Sequence, residues 1–270
     1  MDLQILIGIL KKNLLTQYRA YPMSFFVGNI LTGLYTVLGA WFMYKLLFEG
    51  RLSSDFFELT KTNDYMGYVI VGSLTYLFVV RTCLNVSRSL ITELREGTLE
   101  ALMLAPFKRV EYFLGNMLVQ TMTTTMEIVI SLFIAIPFGL NLSNINLSGF
   151  IVSFFIALYA FFGVSMILGC IMLYTRDTYI SQNTLFAFLF LVSGITFPTK
   201  YLPEWLNICA NFIPITEGVI LIRNTALLGM GIEDLLYSYM KVFVLSTIYI
   251  IVGFGVMKRC EEAALEKING

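Results

Sequence analysis

The chain contains no histidine among its 270 residues, which removes histidine general acid/base chemistry, histidine proton relays and the commonest metal ligand. A zinc-hydrolase or Ser-His-Asp reading is thereby excluded. The dipeptide Gly-Lys is also absent, and with it any G-x-x-x-x-G-K-[ST] loop, so no P-loop nucleotide site is expected. Cysteine is scarce: Cys83, Cys170, Cys209 and Cys260 lie far apart and form no C-x-x-C pair, so they read as small apolar fillers. Charge is scarce too, at 13% of residues, and the 18 basic residues balance the 18 acidic ones. Net charge therefore points to no partner, and no nucleic-acid binding is expected.

What is present is apolar. Hydrophobic residues make up 57% of the chain and aromatics 15%. That composition predicts an all-α integral membrane protein. Six apolar segments, at about 24–48, 65–87, 113–138, 149–174, 181–197 and 239–257, are long enough for a hydrocarbon core that needs roughly 20 helical residues. Residues 1–21 place Leu3, Leu6, Leu10 and Leu14 at helical spacing beside Lys11, Lys12 and Arg19, which predicts an amphipathic interfacial helix or an ordinary solvated helix end. The basic residues there follow the apolar run, the wrong order for a signal peptide. A single domain results: the interfacial helix at 1–21, a six-span bundle at 24–257 and a tail at 258–270.

Orientation follows from the loops. Lys11, Lys12 and Arg19, then Arg88, Arg95, Lys108 and Arg109, then Arg176, then Lys258, Arg259 and Lys267 occupy alternate connections, whereas 139–148 has no basic residue. The positive-inside rule predicts both termini in the cytoplasm of a multi-pass protein of the cell membrane.

The charge that does occur is concentrated in 91–115, ITELREGTLEALMLAPFKRVEYFLG. Gly97 and Thr98 open a short helix over 98–105, with Thr98 as N-cap, Glu100 in the first turn and Pro106 as the stop. Leu99, Leu102 and Met103 form an i, i+3, i+4 apolar face suited to a groove. Lys108 and Arg109 follow, where they serve the loop or hold lipid headgroups.

Inside the apolar segments, Arg81 and Glu127 stand out, because an intramembrane charge costs at least about 2.5–3.5 kcal/mol on insertion scales. Either the two pair or line a path, or Arg81 reaches the headgroups while Glu127 is held by Thr123, Thr124 or another helix. Lys45 and Lys241 read as snorkelling residues at the outer span ends. Phe186, Phe190, Ser193 and Phe197 share a helical face that lines a path or packs against helices and lipid. The outer segment 198–238 is too apolar for open water, yet Pro203 and Pro214 cut it into pieces too short to span. Two re-entrant helices, carrying Thr216, Glu217 and Arg223, or a cap on the membrane surface, satisfy both constraints.

In this position after the second span, the run Arg95, Glu96, Gly97, Thr98, Leu99, Glu100, Leu102 and Pro106 resembles the R-E-x-G-T-L-E-x-L-x-x-x-P loop of type-2 ATP-binding-cassette (ABC) exporter permeases. It departs from the pattern in having no residue between Glu96 and Gly97. Leu202, Pro203, Trp205, Leu206, Pro214, Thr216 and Arg223 are similar to the family's stretch before the last span, although Ile213 and Ile220 stand where Asn and Glu often occur. The resemblance implies a permease that binds no cofactor itself and rests on a separate cytoplasmic ATPase, expected in two copies, which holds ATP and Mg. It also implies a second, identical permease chain, giving a homodimer in the lipid bilayer, and a coupling helix at 98–105. The expected cargo is a drug-like, natural-product or lipid-like amphiphile moved outward, with a polysaccharide or lipid-linked glycan as the nearest alternative. From other classes, a proton-coupled secondary transporter using Glu127 and an intramembrane lipid enzyme remain open; the second lacks a nucleophile and base at interpretable spacing.

Overall fold

The structure, a computed structural model, describes residues 7–8, 11–12, 15, 22–47, 49, 54–62, 64–98, 101, 104, 109–175, 184, 186–195 and 198–269. Every long element is a helix, and the described residues contain no strand. In chain order these are α1 (Pro22–Phe42, continued by the π-helical turn Met43–Leu47), α2 (Ser54–Thr60), α3 (Tyr65–Arg95), α4 (Arg109–Ala135), α5 (Leu147–Thr175), α6 (Phe186–Val192), α7 (Glu204–Phe212), α8 (Pro214–Leu227) and α9 (Leu236–Asn269). Ahead of them, Ile7, Gly8, Lys11, Lys12 and Leu15 are helical and exposed.

Four of these helices are long and apolar enough to cross a membrane: Tyr65–Ser89, Glu111–Phe138, Leu147–Thr175 and Leu236–Ala263. They coincide with the expected segments at 65–87, 113–138, 149–174 and 239–257. The first expected segment is the helix α1, whose apolar part among the described residues is Ile30–Leu46. The fifth, expected at 181–197, differs: α6 ends at Val192, and Ser193, Gly194 and Ile195 turn away, with Gly194 at φ +66°. A left-handed residue ends the helix there, so 181–197 is not one continuous helix.

The bundle is organised on α5. It packs most extensively on α9 and then on α3 and α8, while α4 packs on α3 and α1 on α4. A helix apolar on every side can bury several faces at once, and α5 does so with Ala157, Phe161, Met166 and Met172. Small residues allow the α5–α9 approach: a Cβ on Gly163 would stand 2.9 Å from Ser246 O, and one on Gly253 2.7 Å from Met166 Cβ.

The outer surface confirms the solvent. On α4, Leu118, Met122, Met126, Val129 and Phe133 are exposed, whereas Thr124, Glu127 and Ser131 on the same helix are buried. On α9, Met240, Phe243, Val244, Ile248, Ile251 and Val252 are exposed. Apolar outside and polar inside is the reverse of a helix packed in water, and it suits hydrocarbon surroundings.

The segment 198–238 bends by 85° between α7 and α8. Pro214 occupies the first turn of α8, where its missing N–H costs nothing, and Pro203 precedes α7. Helix α8 packs against α5, α3 and α9 and buries Thr216, Val219, Leu221, Arg223 and Thr225.

Candidate functional site

The charged loop begins with a helix stop. Gly97 has φ +72°, its N–H donates to Leu94 O (3.3 Å), and Thr98 N–H donates to Glu93 O (2.9 Å). These two crossed bonds make a Schellman motif that satisfies the last carbonyls of α3. Gly97 and Thr98 thus close the preceding helix. The Thr98 hydroxyl also turns back, donating to Glu93 Oε2 at 2.5 Å. Beyond the stop, Ala101 and Leu104 are helical and exposed, Leu104 at 86%. The side chains of Leu99, Glu100, Leu102, Met103 and Pro106 lie outside the described residues.

Glu93 is the residue that sequence reasoning left among the loop charges. Its carboxylate is buried and takes three donors: Thr98 Oγ1, Lys12 Nζ (2.9 Å) and Tyr112 Oη (3.1 Å). Burial pushes the carboxyl up, but these donors outweigh it and hold Glu93 below the ordinary glutamate range. One side chain thereby ties the N-terminal segment, the end of α3, the loop and the start of α4. The available signal was a carboxylate four residues before the Gly97 stop, one turn inside the helix.

From this junction a ladder of polar bridges runs between α3 and α4. Tyr112 Oη also donates to Ser89 O (3.3 Å), Asn85 Nδ2 donates to Gln120 Oε1 (2.8 Å), and Arg81 Nη2 meets Glu127 Oε1 (3.3 Å). The antiparallel register explains the pairing, since each step down α3 is matched by a step up α4. Asn85 and Gln120 were missed, although Asn85 stands one turn from Arg81 and Gln120 two turns from Glu127. Of the two readings for Arg81 and Glu127, the geometry is that of the pair.

The other candidates disperse. Phe190 is exposed and packs edge-on against Tyr76 (5.0 Å), whereas Ser193 is buried and donates to Leu189 O (2.6 Å). Their common face is broken because α6 stops between them; the side chains of Phe186 and Phe197 lie outside the described residues. Lys241 forms an ion pair with Glu217 and donates to Asn211 Oδ1 (3.3 Å), joining α9 to α8 and α7. Thr216 is buried, and its hydroxyl has no hydrogen-bond partner among the described residues.

Arg223 is the most enclosed cation of the candidate set. Its guanidinium donates to Gly194 O (3.0 Å) and Ile195 O (2.9 Å), capping the turn after α6, and stacks 3.6 Å from the Tyr68 ring centroid. Gly72 makes room for it, because a Cβ there would collide with Nη2 and lie 2.6 Å from Ile195 O. One residue thus holds α8, α6 and α3 together.

A helical bundle with an apolar exterior, buried interhelical charge pairs and a charged loop stopped off at Gly97 defines a polytopic membrane protein. The sequence matches the model of the ABC-2 type transporter family over residues 6–227, and the chain belongs to that family. It is a permease component of an ABC transporter. No curated protein matches the sequence.

Proposed function

We propose that this chain is the membrane subunit of an ATP-driven exporter, with six spans, both termini in the cytoplasm and the bent pair α7–α8 re-entrant from the outer side. Permeases of this family work with an ABC ATPase; two copies of that ATPase, holding ATP and Mg, would engage two copies of this chain through 98–105. The observation that carries the reading is the junction at Glu93. A lever needs a rigid base, and the Schellman stop with its three-donor carboxylate fixes the loop to α3, α4 and the N-terminal segment at one point. Leu104, exposed at 86%, supplies apolar surface for a partner's groove.

The polar ladder from Tyr112 to Glu127 lies along the same two helices and supplies the internal polar groups that an amphiphilic cargo needs. Drug-like, natural-product or lipid-like molecules fit this mixture of aromatic and polar surface. Leu102→Asp abolishes co-purification with the ATPase while the chain stays in the membrane; retained binding removes the coupling role. Reconstitution of both subunits gives ATP-dependent efflux, and transport by the chain alone under a pH gradient would overturn the proposal.

A further inference from the structure

At the end of the bundle opposite Gly97, roughly 38 Å along α3 from Glu93 to Tyr68 at 1.5 Å per residue, a cavity of about 290 Å³ opens beside Arg223. Three cations line it: Lys61 and Lys200 at the exposed rim and Arg223 at the buried base. None of its described lining residues is acidic, and no ion pair to any of the three occurs among the described residues. Arg223 spends two nitrogens on the carbonyls of Gly194 and Ile195, while its Nε has no hydrogen-bond partner among the described residues. Carbonyls and a ring face do not neutralise a guanidinium, and a buried charge without a counter-charge is costly. Ile220, Leu227, Leu228 and Met230 give the wall an apolar part beside the polar Thr60, Thr62, Thr199 and Asn224.

We propose that this cavity binds a phosphate-bearing group of net negative charge, with Lys61 and Lys200 closing on the phosphate oxygens above Arg223 and the apolar part of the wall taking the adjoining carbons. A phosphate suits two mobile ammonium groups over a fixed guanidinium, because its oxygens accept from several directions at once. The source is either an anionic phospholipid at the bilayer surface or a soluble phosphate. The site is separate from the loop at Gly97, so it stands or falls independently of the exporter reading.

The test uses the full chain in a neutral detergent, without ATPase or ATP, and follows the thermal unfolding midpoint. The probes are short-chain phosphatidylglycerol, phosphatidylcholine with the same chains, and inorganic phosphate. Phosphatidylglycerol is expected to raise the midpoint saturably, phosphatidylcholine not. The double variant Lys61→Gln/Lys200→Gln, confined to exposed side chains, is expected to weaken the response at least about tenfold, since it removes two charge-assisted bonds to the phosphate. A saturable response to inorganic phosphate that the variant loses identifies a soluble source and also supports the site. Equal responses to the two lipids, a response that the variant retains, or no response to any probe overturns it.

Discussion

Arg81 Nη2 stands 3.3 Å from Glu127 Oε1, and the two ends of that bridge are unequally placed: the Arg81 side chain is 42% exposed and that of Glu127 only 3%. The carboxylate depends on the pair more than the guanidinium does. Arg81 can reach outward along its long stem if Glu127 is neutralised, whereas Glu127 without Arg81 is a charge sealed among helices. Arg81→Met is therefore expected to destabilise the detergent-solubilised chain more than Glu127→Gln, by on the order of 1–2 kcal/mol after allowance for the exposed end. The double variant recovers part of the loss. Unfolding midpoints for the three variants decide it, and a Glu127→Gln cost equal to that of Arg81→Met removes the asymmetry.

The stop at Gly97 gives a second outcome. A Cβ at Gly97 meets nothing within 4 Å, so any penalty of Gly97→Ala comes from its φ of +72° and not from a clash. A left-handed alanine costs about 1–2 kcal/mol. Because that cost is local to the loop base, the variant should insert and fold while ATPase stimulation in the assembled transporter falls severalfold. Gly97→Asn, which tolerates the left-handed region better, should retain more activity. Equal behaviour of the two variants would falsify the role of the turn.

Glu93 gives a pH dependence. Its folded-state pKa lies below the ordinary glutamate value of 4.5, so the unfolded chain takes up the proton first as pH falls. The stabilisation is fully present above about pH 5, and it drains away as pH falls through 4.5 and then through the lower folded value. The stability difference between wild type and Glu93→Gln should hence be constant from pH 8 to about 6 and shrink at acid pH. A difference that grows on acidification contradicts the three-donor arrangement.

Much of the fold was legible before any coordinates. Four of the six expected segments coincide with long apolar helices, because a backbone in hydrocarbon must satisfy its own hydrogen bonds within the segment, and twenty apolar residues leave it little alternative. Pro203 and Pro214 marked the starts of α7 and α8 for an equally local reason. Elsewhere the local signals were incomplete. Gly97-Thr98 carries an N-cap residue, and only the bonds back to Glu93 and Leu94 show that it also closes α3. The stripe from Phe186 to Phe197 assumed helical continuity that Gly194 ends.

By itself the sequence determined that the chain is helical, rich in long apolar segments and marked by a charged stretch at 91–115, since these depend on composition and on spacings within one turn. The partners of its buried charges were decided only by the tertiary structure. Lys12 reaches Glu93 across 81 residues, Arg81 reaches Glu127 across 46 and Arg223 reaches Gly194 across 29. Each contact depends on the rotation and register of two packed helices. Those are set jointly by the small residues that let α5 and α9 approach, by Gly72 making room for Arg223 and by the antiparallel seam of α3 and α4, and no single stretch of chain contains them.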